Sequence, residues 1–392
     1  MYSRKVSFNE RFYLATDRIT PPFCNQMIYE GAGEFEVEKW KAAVESASRA
    51  NPGSRVVMKG SLWRSTWVDS GLTPRLRTVD GSAWSGMGDE GAPFLETELD
   101  PYNGPSCEVV LITGNVPRVA FRTHHAVMDG RGTIFWAEEI FRVLRGEEPA
   151  GSGSALTDFD LAQTFQKERR YPPPHEFIAP TGRAEKNGGG VTWKRRRLPG
   201  KFKNFLAQVA VLVAAEARKR GPGKVRLAIP VDLRPRMEGL RSTGNLTNTI
   251  YIEIAPDATV NDITEDISAQ IRGRYDGRMY HGEKIMNHVP LWAIVRELRK
   301  LIRQKHAEGL YHNSGIISNL GKLDLSKFSG GGFTAESWFA VPPCQEIVPF
   351  FMVLAGSGRH ADLMVGMPRV LAGSGRLEEF MGAVIGGLCA EQ

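Results

Sequence analysis

The feature that most constrains this chain lies near its middle. From Glu147 to about Gly190 the sequence turns polar and is punctuated by Gly151-Ser-Gly-Ser, Pro172-Pro-Pro and Gly188-Gly-Gly, with room for one short helix over 158–169. A stretch of that composition reads as a join rather than as part of a core. It divides the chain into a first unit at 1–150, a connection at 151–190 and a second unit at 191–392. With 392 residues in all, each unit is long enough to bury a core of its own.

Both units alternate strand-like and helix-like runs. In the first, helical spacing is expected over 34–49, ending before Asn51-Pro52-Gly53, and strands are expected over 54–58 and 107–113. Residues 118–123 alternate apolar and polar as a half-buried strand does, and a helix is expected over 132–144, closed by Arg145-Gly146. In the second unit the pattern predicts a helix over 202–220 and strands over 224–230 and 249–254. An amphipathic helix follows, with Leu291, Ile294, Val295, Leu298, Leu301 and Ile302 on one face and Arg296, Arg299, Lys300 and Arg303 facing solvent. Strands over 347–354 and 361–367 and a closing helix over 377–388 complete an α/β chain. The heptapeptide Val-Leu-Ala-Gly-Ser-Gly-Arg occurs at 353–359 and again at 370–376, which reads as two Gly-rich turns after strands.

Charge and cysteine usage exclude several classes of function. Lys and Arg total 50 against 44 Asp and Glu, a balance that permits an anionic ligand without calling for nucleic acid. Cys24, Cys107, Cys344 and Cys389 are far apart, so neither a zinc site nor a disulfide framework is expected, and a reducing cytoplasm is the natural compartment. No signal peptide is expected at Met1-Tyr-Ser-Arg-Lys-Val, and the longest apolar stretch, Leu206 to Ala217, is too short to span a bilayer.

The chemistry is concentrated in His124-His125-Ala-Val-Met-Asp129-Gly130, at the end of the expected 118–123 strand. Chance would produce this pattern on the order of once in a thousand such sequences. Two histidines at a strand end can simply make ordinary hydrogen bonds. His and Asp can also ligate a metal, although no further ligand motif accompanies them. The third reading is general acid–base catalysis, since a neutral imidazole accepts and returns a proton near pH 7.

His124-His125-x-x-x-Asp129-Gly130 resembles the signature of the CoA-dependent acyltransferase superfamily, which includes chloramphenicol acetyltransferase and the condensation domains of nonribosomal peptide synthetases. Further segments carry the resemblance. Thr157-Asp158-Phe159-Asp160-Leu161-Ala162 is similar to the condensation-domain Tyr-x-Asp-Phe-Ala-x-Trp element, without its Tyr and Trp. Pro230-Val-Asp-Leu-Arg234 and Gly244-Asn-Leu-Thr-Asn-Thr249 resemble Pro-x-x-x-Arg and Gly-x-Phe-x-Asn-Thr, with Leu246 in place of the aromatic. Ser318-Asn319-Leu320-Gly321 looks like the Ser-Asn-Leu-Gly segment, and the order agrees from about residue 20 to 390.

The resemblance implies two chloramphenicol-acetyltransferase-like α/β sandwich lobes in a V, with an active-site tunnel between them. His125 would be the general base in mid-tunnel, and His124 an orienting residue. Asp129 would be a structural partner of the site, paired with Arg234 from the second lobe, while Gly130 would leave room for the donor's pantetheine arm. Ser318 and Asn319 would line the tunnel or donate to the developing oxyanion. The implied activity is transfer of an acyl or aminoacyl group from a thioester, on CoA or on an acyl carrier protein, to a small-molecule amine or hydroxyl acceptor. No acyl-enzyme, bound cofactor or metal is implied, and a monomer is expected.

Three matters stay open at this level. Lys194, Arg195, Arg196 and Arg197 could receive CoA phosphates or an acidic carrier protein, or could be a solvated strand edge. His124 and Asp129 also satisfy the His-x-x-x-x-Asp spacing of glycerol-phosphate acyltransferases, which leaves His125 and Gly130 unexplained and lacks the membrane segment typical there. A condensation-like chain can also serve only as a docking platform for carrier proteins, although such chains often have a degraded motif.

Overall fold

The runs rich in Val, Ile and aromatic residues pair as strands, because branched and aromatic side chains pack well on a pleated surface. In the computed structural model, which describes residues 2–95, 97–185 and 188–390, the first half supplies β1 (Cys24–Gly33), β2 (Arg75–Asp80), β3 (Cys107–Thr113) and β4 (Arg118–His124). The second half supplies β5 (Val191–Pro199), β6 (Val225–Asp232), β7 (Thr247–Ile254), β8 (Gly315–Lys322), β9 (Ser329–Gly330), β10 (Phe333–Val341), β11 (Phe351–Gly356) and β12 (His360–Pro368). They form two six-stranded sheets, ordered β9-β10-β1-β4-β3-β2 and β5-β12-β11-β8-β6-β7.

Helices flank the sheets: α1 (Phe8–Asp17), α2 (Val37–Ala50) and α3 (Gly130–Leu144), then α4 (Asp158–Phe165) in the connection, then α5 (Phe205–Arg220) and α6 (Val260–Arg272). The chain closes with α7 (Glu283–Met286), α8 (Leu291–Glu308), α9 (Arg369–Ala372) and α10 (Arg376–Ala390). One core lies against the first sheet around Trp40, Phe121, Trp136 and Phe141, all fully buried. The other lies against the second sheet around Val213, Ile252, Met352 and Leu363. The two-lobed α/β architecture expected from the sequence is the one observed. Among the described residues no helix is long and apolar enough to cross a membrane, and no cluster of His, Cys, Asp and Glu could hold a metal.

Several expectations need correction. First, residues 329–341 belong to the second half of the chain but not to its sheet: β10 pairs antiparallel with β1, from Phe333 opposite Gly33 to Val341 opposite Gln26. Its Trp338 and Phe339 are fully buried in the first core, which is where their apolar area finds cover. Second, β4 is buried on both faces rather than one. Its polar face is neutralised: Arg118 Nε donates to Glu30 at 2.9 Å, and Arg122 pairs with Glu108. Third, the helix expected over 158–169 stops at Phe165. Gln166 turns extended so that Arg169–Arg170 can pair in parallel with Met279–Tyr280.

The connection is therefore laid along the second lobe, and Phe177–Ile178 pairs there with Leu310–Tyr311. Residues 186 and 187 of that stretch lie outside the described ones. The strand expected over 347–354 begins only at Phe351, because Ile347 packs against the Ile294, Val295 and Leu298 face of α8. The opposite face of α8, with Arg296, Arg299, Lys300 and Arg303, is exposed as its pattern predicts.

Candidate functional site

A cavity of about 470 Å³ separates the lobes, and the turn after β4 delivers the motif to it. His125 N–H donates to the Phe23 carbonyl at 3.0 Å and Val127 N–H to the His124 carbonyl at 2.8 Å, closing a tight turn between β4 and α3. The two histidines then diverge. His124 is buried; its Nδ1 accepts from Ala126 N–H at 3.1 Å, and its Nε2 lies 3.5 Å from Asp17 Oδ2, away from the cavity.

His125 lines the cavity. Its ring stacks on Tyr13 of α1, centroids 4.4 Å apart, with Phe23 at 5.1 Å. Its Nδ1 is 3.3 Å from the Met128 carbonyl, which can only accept, and 3.4 Å from Asn25 Nδ2, which can only donate; because Asn25 Nδ2 makes its shorter bond to that carbonyl, we assign the proton to Nδ1. Asn25 fixes that carbonyl by donating to it from Nδ2 at 2.7 Å. The remaining nitrogen, Nε2, has no hydrogen-bond partner among the described residues and keeps its lone pair for the cavity. Burial pushes the imidazole pKa down to about 4, against weaker upward pulls from the Met128 carbonyl and Asp129. The ring is thus neutral at ordinary pH.

Asp129 is finished differently. It caps α3, its Oδ1 accepting Gly132 N–H at 2.7 Å and Arg234 Nη2 at 3.0 Å. Its Oδ2 accepts Arg234 Nη1 at 3.1 Å, Leu246 N–H at 2.7 Å and Thr247 Oγ1 at 2.9 Å. Arg234 spends its other donors on Asp232, the Ser242 carbonyl and the Gly244 carbonyl. Burial raises the carboxyl's pKa, but the guanidinium and these bonds outweigh it and hold the group below its ordinary value. The segments around Arg234 and 244–249 are therefore the second lobe's half of a clamp on Asp129.

The other candidates divide between lining and scaffold. Gly130, Ser318 and Asn319 line the cavity, where a Cβ on Gly130 would sit 3.2 Å from Met27 Cε. Asn319 Oδ1 accepts Gly321 N–H at 3.0 Å, which leaves its amide N–H groups and the Ser318 hydroxyl without partners among the described residues. A second cavity of about 340 Å³ shares Leu206 and Asn319 with the first.

The basic run is mostly consumed by ion pairs. Arg195, 1% exposed, bridges Glu30 on β1 at 2.9 Å and Asp362 on β12 at 2.6 Å, so it ties the two sheets together and is turned away from any donor phosphate. Arg197 joins the same two carboxylates, Lys194 pairs with Glu378, and Arg196 Nη1 donates to the Arg195 carbonyl. None of the four lines the cavity. Sequence reasoning missed Tyr13, Phe23 and Asn25, which orient His125, and Arg170, Tyr280 and Glu283, which line the cavity. No local pattern marks them; they meet only in the folded chain.

No protein-family model and no curated protein sequence matches the chain. Solved structures do. The first condensation domain of the calcium-dependent antibiotic synthetase, in complex with a substrate analogue, superposes with a TM-score of 0.69 at 15% identity, covering 98% of this chain and 95% of that one. The starter condensation domain of the rhizomide synthetase RzmA, in complex with C8-CoA and Leu-SNAC, gives 0.65 at 14% identity over 99% and 94%. The condensation domain of the Monacolin K polyketide synthase MokA gives 0.62 at 11% identity over 99% and 97%. From end to end, the chain has the two-lobed fold of the condensation domains.

Proposed function

We propose that the protein is a condensation-type acyltransferase that moves an acyl or aminoacyl group from a thioester donor, on CoA or on a carrier protein, to an amine or hydroxyl acceptor. The observation that carries this reading is the neutral His125 with Nε2 open to the inter-lobe cavity. As the acceptor attacks the thioester carbonyl, Nε2 takes its proton; the C–N or C–O bond forms, the C–S bond breaks, and the proton passes to the departing thiolate. Burial disfavours the transient imidazolium and so favours passing the proton on. Transfer is direct within a ternary complex, without an acyl-enzyme. Ser318 and Asn319, whose free donors border the cavity, are the proposed oxyanion contacts. Gly130 keeps the wall beside Met27 open for a pantetheine arm.

That a condensation domain of the same fold, a mutant of the RzmA starter domain, is found in complex with C8-CoA and Leu-SNAC supports a thioester donor here. The test is a donor screen by intact-mass spectrometry, with acyl-CoA and acyl-carrier thioesters offered beside amines and alcohols. Acyl transfer that is lost in His125→Ala is the expected result. A protein that binds acyl carrier yet transfers nothing from any donor is a docking module, and the enzymatic reading fails.

A further inference from the structure

The acyl-transfer reading leaves part of the cavity wall unexplained. The lining includes Met27, Leu320, Phe351 and Val353, which suit an acyl chain or the methylenes of a pantetheine arm. The same cavity also has polar lining. One turn before Tyr13 on α1 stands Asn9, which donates to Asp158 at 2.6 Å, and the lining continues through Arg170, Tyr280 and Glu283.

Glu283 is the unusual member of that set. It is 93% buried, and its Oε1 accepts Tyr280 N–H at 3.0 Å. Its Oε2 has neither a hydrogen bond nor an ion pair among the described residues, although the side chain lines the cavity. The cation sharing that wall, Arg170, has committed both its Nη groups, and only its Nε is left without a partner among the described residues. Its guanidinium donates to the Thr249 carbonyl and Asn248 Oδ1, and it lies between the rings of Tyr251 and Tyr280 at 4.8 and 4.7 Å. Burial raises the Glu283 pKa, and the fields of Arg169 and Arg170 recover only part of that. A buried carboxylate is costly unless a cation or several donors meet it. No described cluster of His, Cys, Asp and Glu could make the gap a metal site. Arg169, whose field also reaches Glu283, donates from Nη2 to Gln163 and has an Nη1 without a partner among the described residues, yet forms no ion pair with Glu283, so Oε2 is left open to a ligand group.

We propose that Glu283 receives a protonated amine of the acceptor, so that the acceptor is a cationic small molecule with two functional ends: a nucleophile that reaches His125, and an ammonium seated on Glu283. The proposal rests on the acyl-transfer reading of the cavity and names the acceptor class within it.

Calorimetric binding to the full chain tests it without any donor. The probes are α,ω-diaminoalkanes of increasing length, each against the n-alkylamine in which a methyl group replaces the second amine, and against the corresponding ω-aminocarboxylates. At the best length the wild type is expected to bind the diamine about tenfold to a hundredfold tighter than its alkylamine, the span of a charge-assisted hydrogen bond. Glu283→Gln should shrink that ratio to within about threefold, and Glu283→Asp should shift the preferred length. A wild type that fails to discriminate, that binds none of the probes, or that prefers the aminocarboxylate overturns the proposal, whatever the variants do. Discrimination that depends on Glu283, in a protein that transfers no acyl group from any thioester, would instead leave the cation site standing and remove the acyl-transfer reading.

Discussion

Asp129 and His125 close the two ends of one turn, and the protein finishes them in opposite ways. At Asp129 both oxygens are taken, by the guanidinium of Arg234, two backbone N–H groups and the Thr247 hydroxyl. At His125 one nitrogen is anchored to the Met128 carbonyl while the other faces the cavity. A saturated buried ion pair fixes shape and has nothing left to exchange. A group that must move a proton needs one unfilled position and a rigid mount, and the stack on Tyr13 supplies the mount. The largest expected effect separates the two ends. His125→Ala should lower kcat about a hundredfold to ten-thousandfold while the melting temperature stays close to wild type, read by single-turnover acyl transfer beside calorimetry. Transfer unchanged in that variant would break the comparison at its catalytic end.

Asp129→Ala should act through the fold. It leaves Arg234 buried among carbonyls with only Asp232 for a counter-charge, and removal of one partner of such a pair costs about 3–5 kcal/mol. Chemical denaturation should show that loss, and the double variant Asp129→Ala with Arg234→Ala should cost less than the two single changes added together. A native unfolding midpoint in Asp129→Ala would mean that the clamp does not hold the lobes in register.

The two groups also titrate in the same direction for different reasons. Burial depresses the His125 pKa to about 4, so its neutral form persists well below the ordinary value of 6.5. The acid limb of kcat/KM should therefore fall near pH 4; a limb near 6.5 would mean that the cavity is wetter and the base more exposed than the packing indicates. In stability the sign follows the depressed value. His125 contributes fully above the unfolded pKa of 6.5, and the contribution is lost as pH falls toward 4. Asp129, also depressed, likewise gives stability that acid removes. A His125→Phe variant should lose less stability than wild type between pH 6.5 and 4, measured by denaturation at each pH.

What was legible in the sequence was what local pattern carries. Alternation and helical spacing placed β3, β4, α3, α8 and α10 to within a few residues, and the motif with its supporting segments pointed to a two-lobed fold. What resisted was decided by distant partners. Arg118 and Arg122 look like the solvent side of a strand until Glu30 and Glu108 arrive to neutralise them. Arg195 looks like a phosphate ligand until Glu30 and Asp362 close on it. The repeated heptapeptide makes the same point: Val353 to Gly356 ends β11, whereas Val370 to Ala372, identical in sequence up to the glycine, lies in the short helix α9. Packing of the first copy between β8 and β12 holds it extended. For the same reason Glu283 and Asn25 gave no signal, since neither belongs to a pattern until the chain folds.

The smallest expected effect tests the same turn at its two glycines, the first and third residues of α3, which face different surroundings. A Cβ on Gly130 would meet Met27 Cε at 3.2 Å and Leu320 Cδ2 at 3.6 Å, the ends of flexible side chains that border the cavity. A Cβ on Gly132 would lie 2.2 Å from the Thr243 carbonyl oxygen, a backbone atom beside the Arg234 clamp. Gly132→Ala must therefore push the second lobe's backbone off α3, at about 1–3 kcal/mol of stability. Gly130→Ala should fold normally and narrow the cavity, raising the donor KM several-fold with kcat less affected, since Met27 can swing only at the expense of the space the donor would occupy. Equal melting temperatures in the two variants would show that the lobes tolerate separation at this point. A donor KM untouched by Gly130→Ala would place the pantetheine arm on another wall of the cavity.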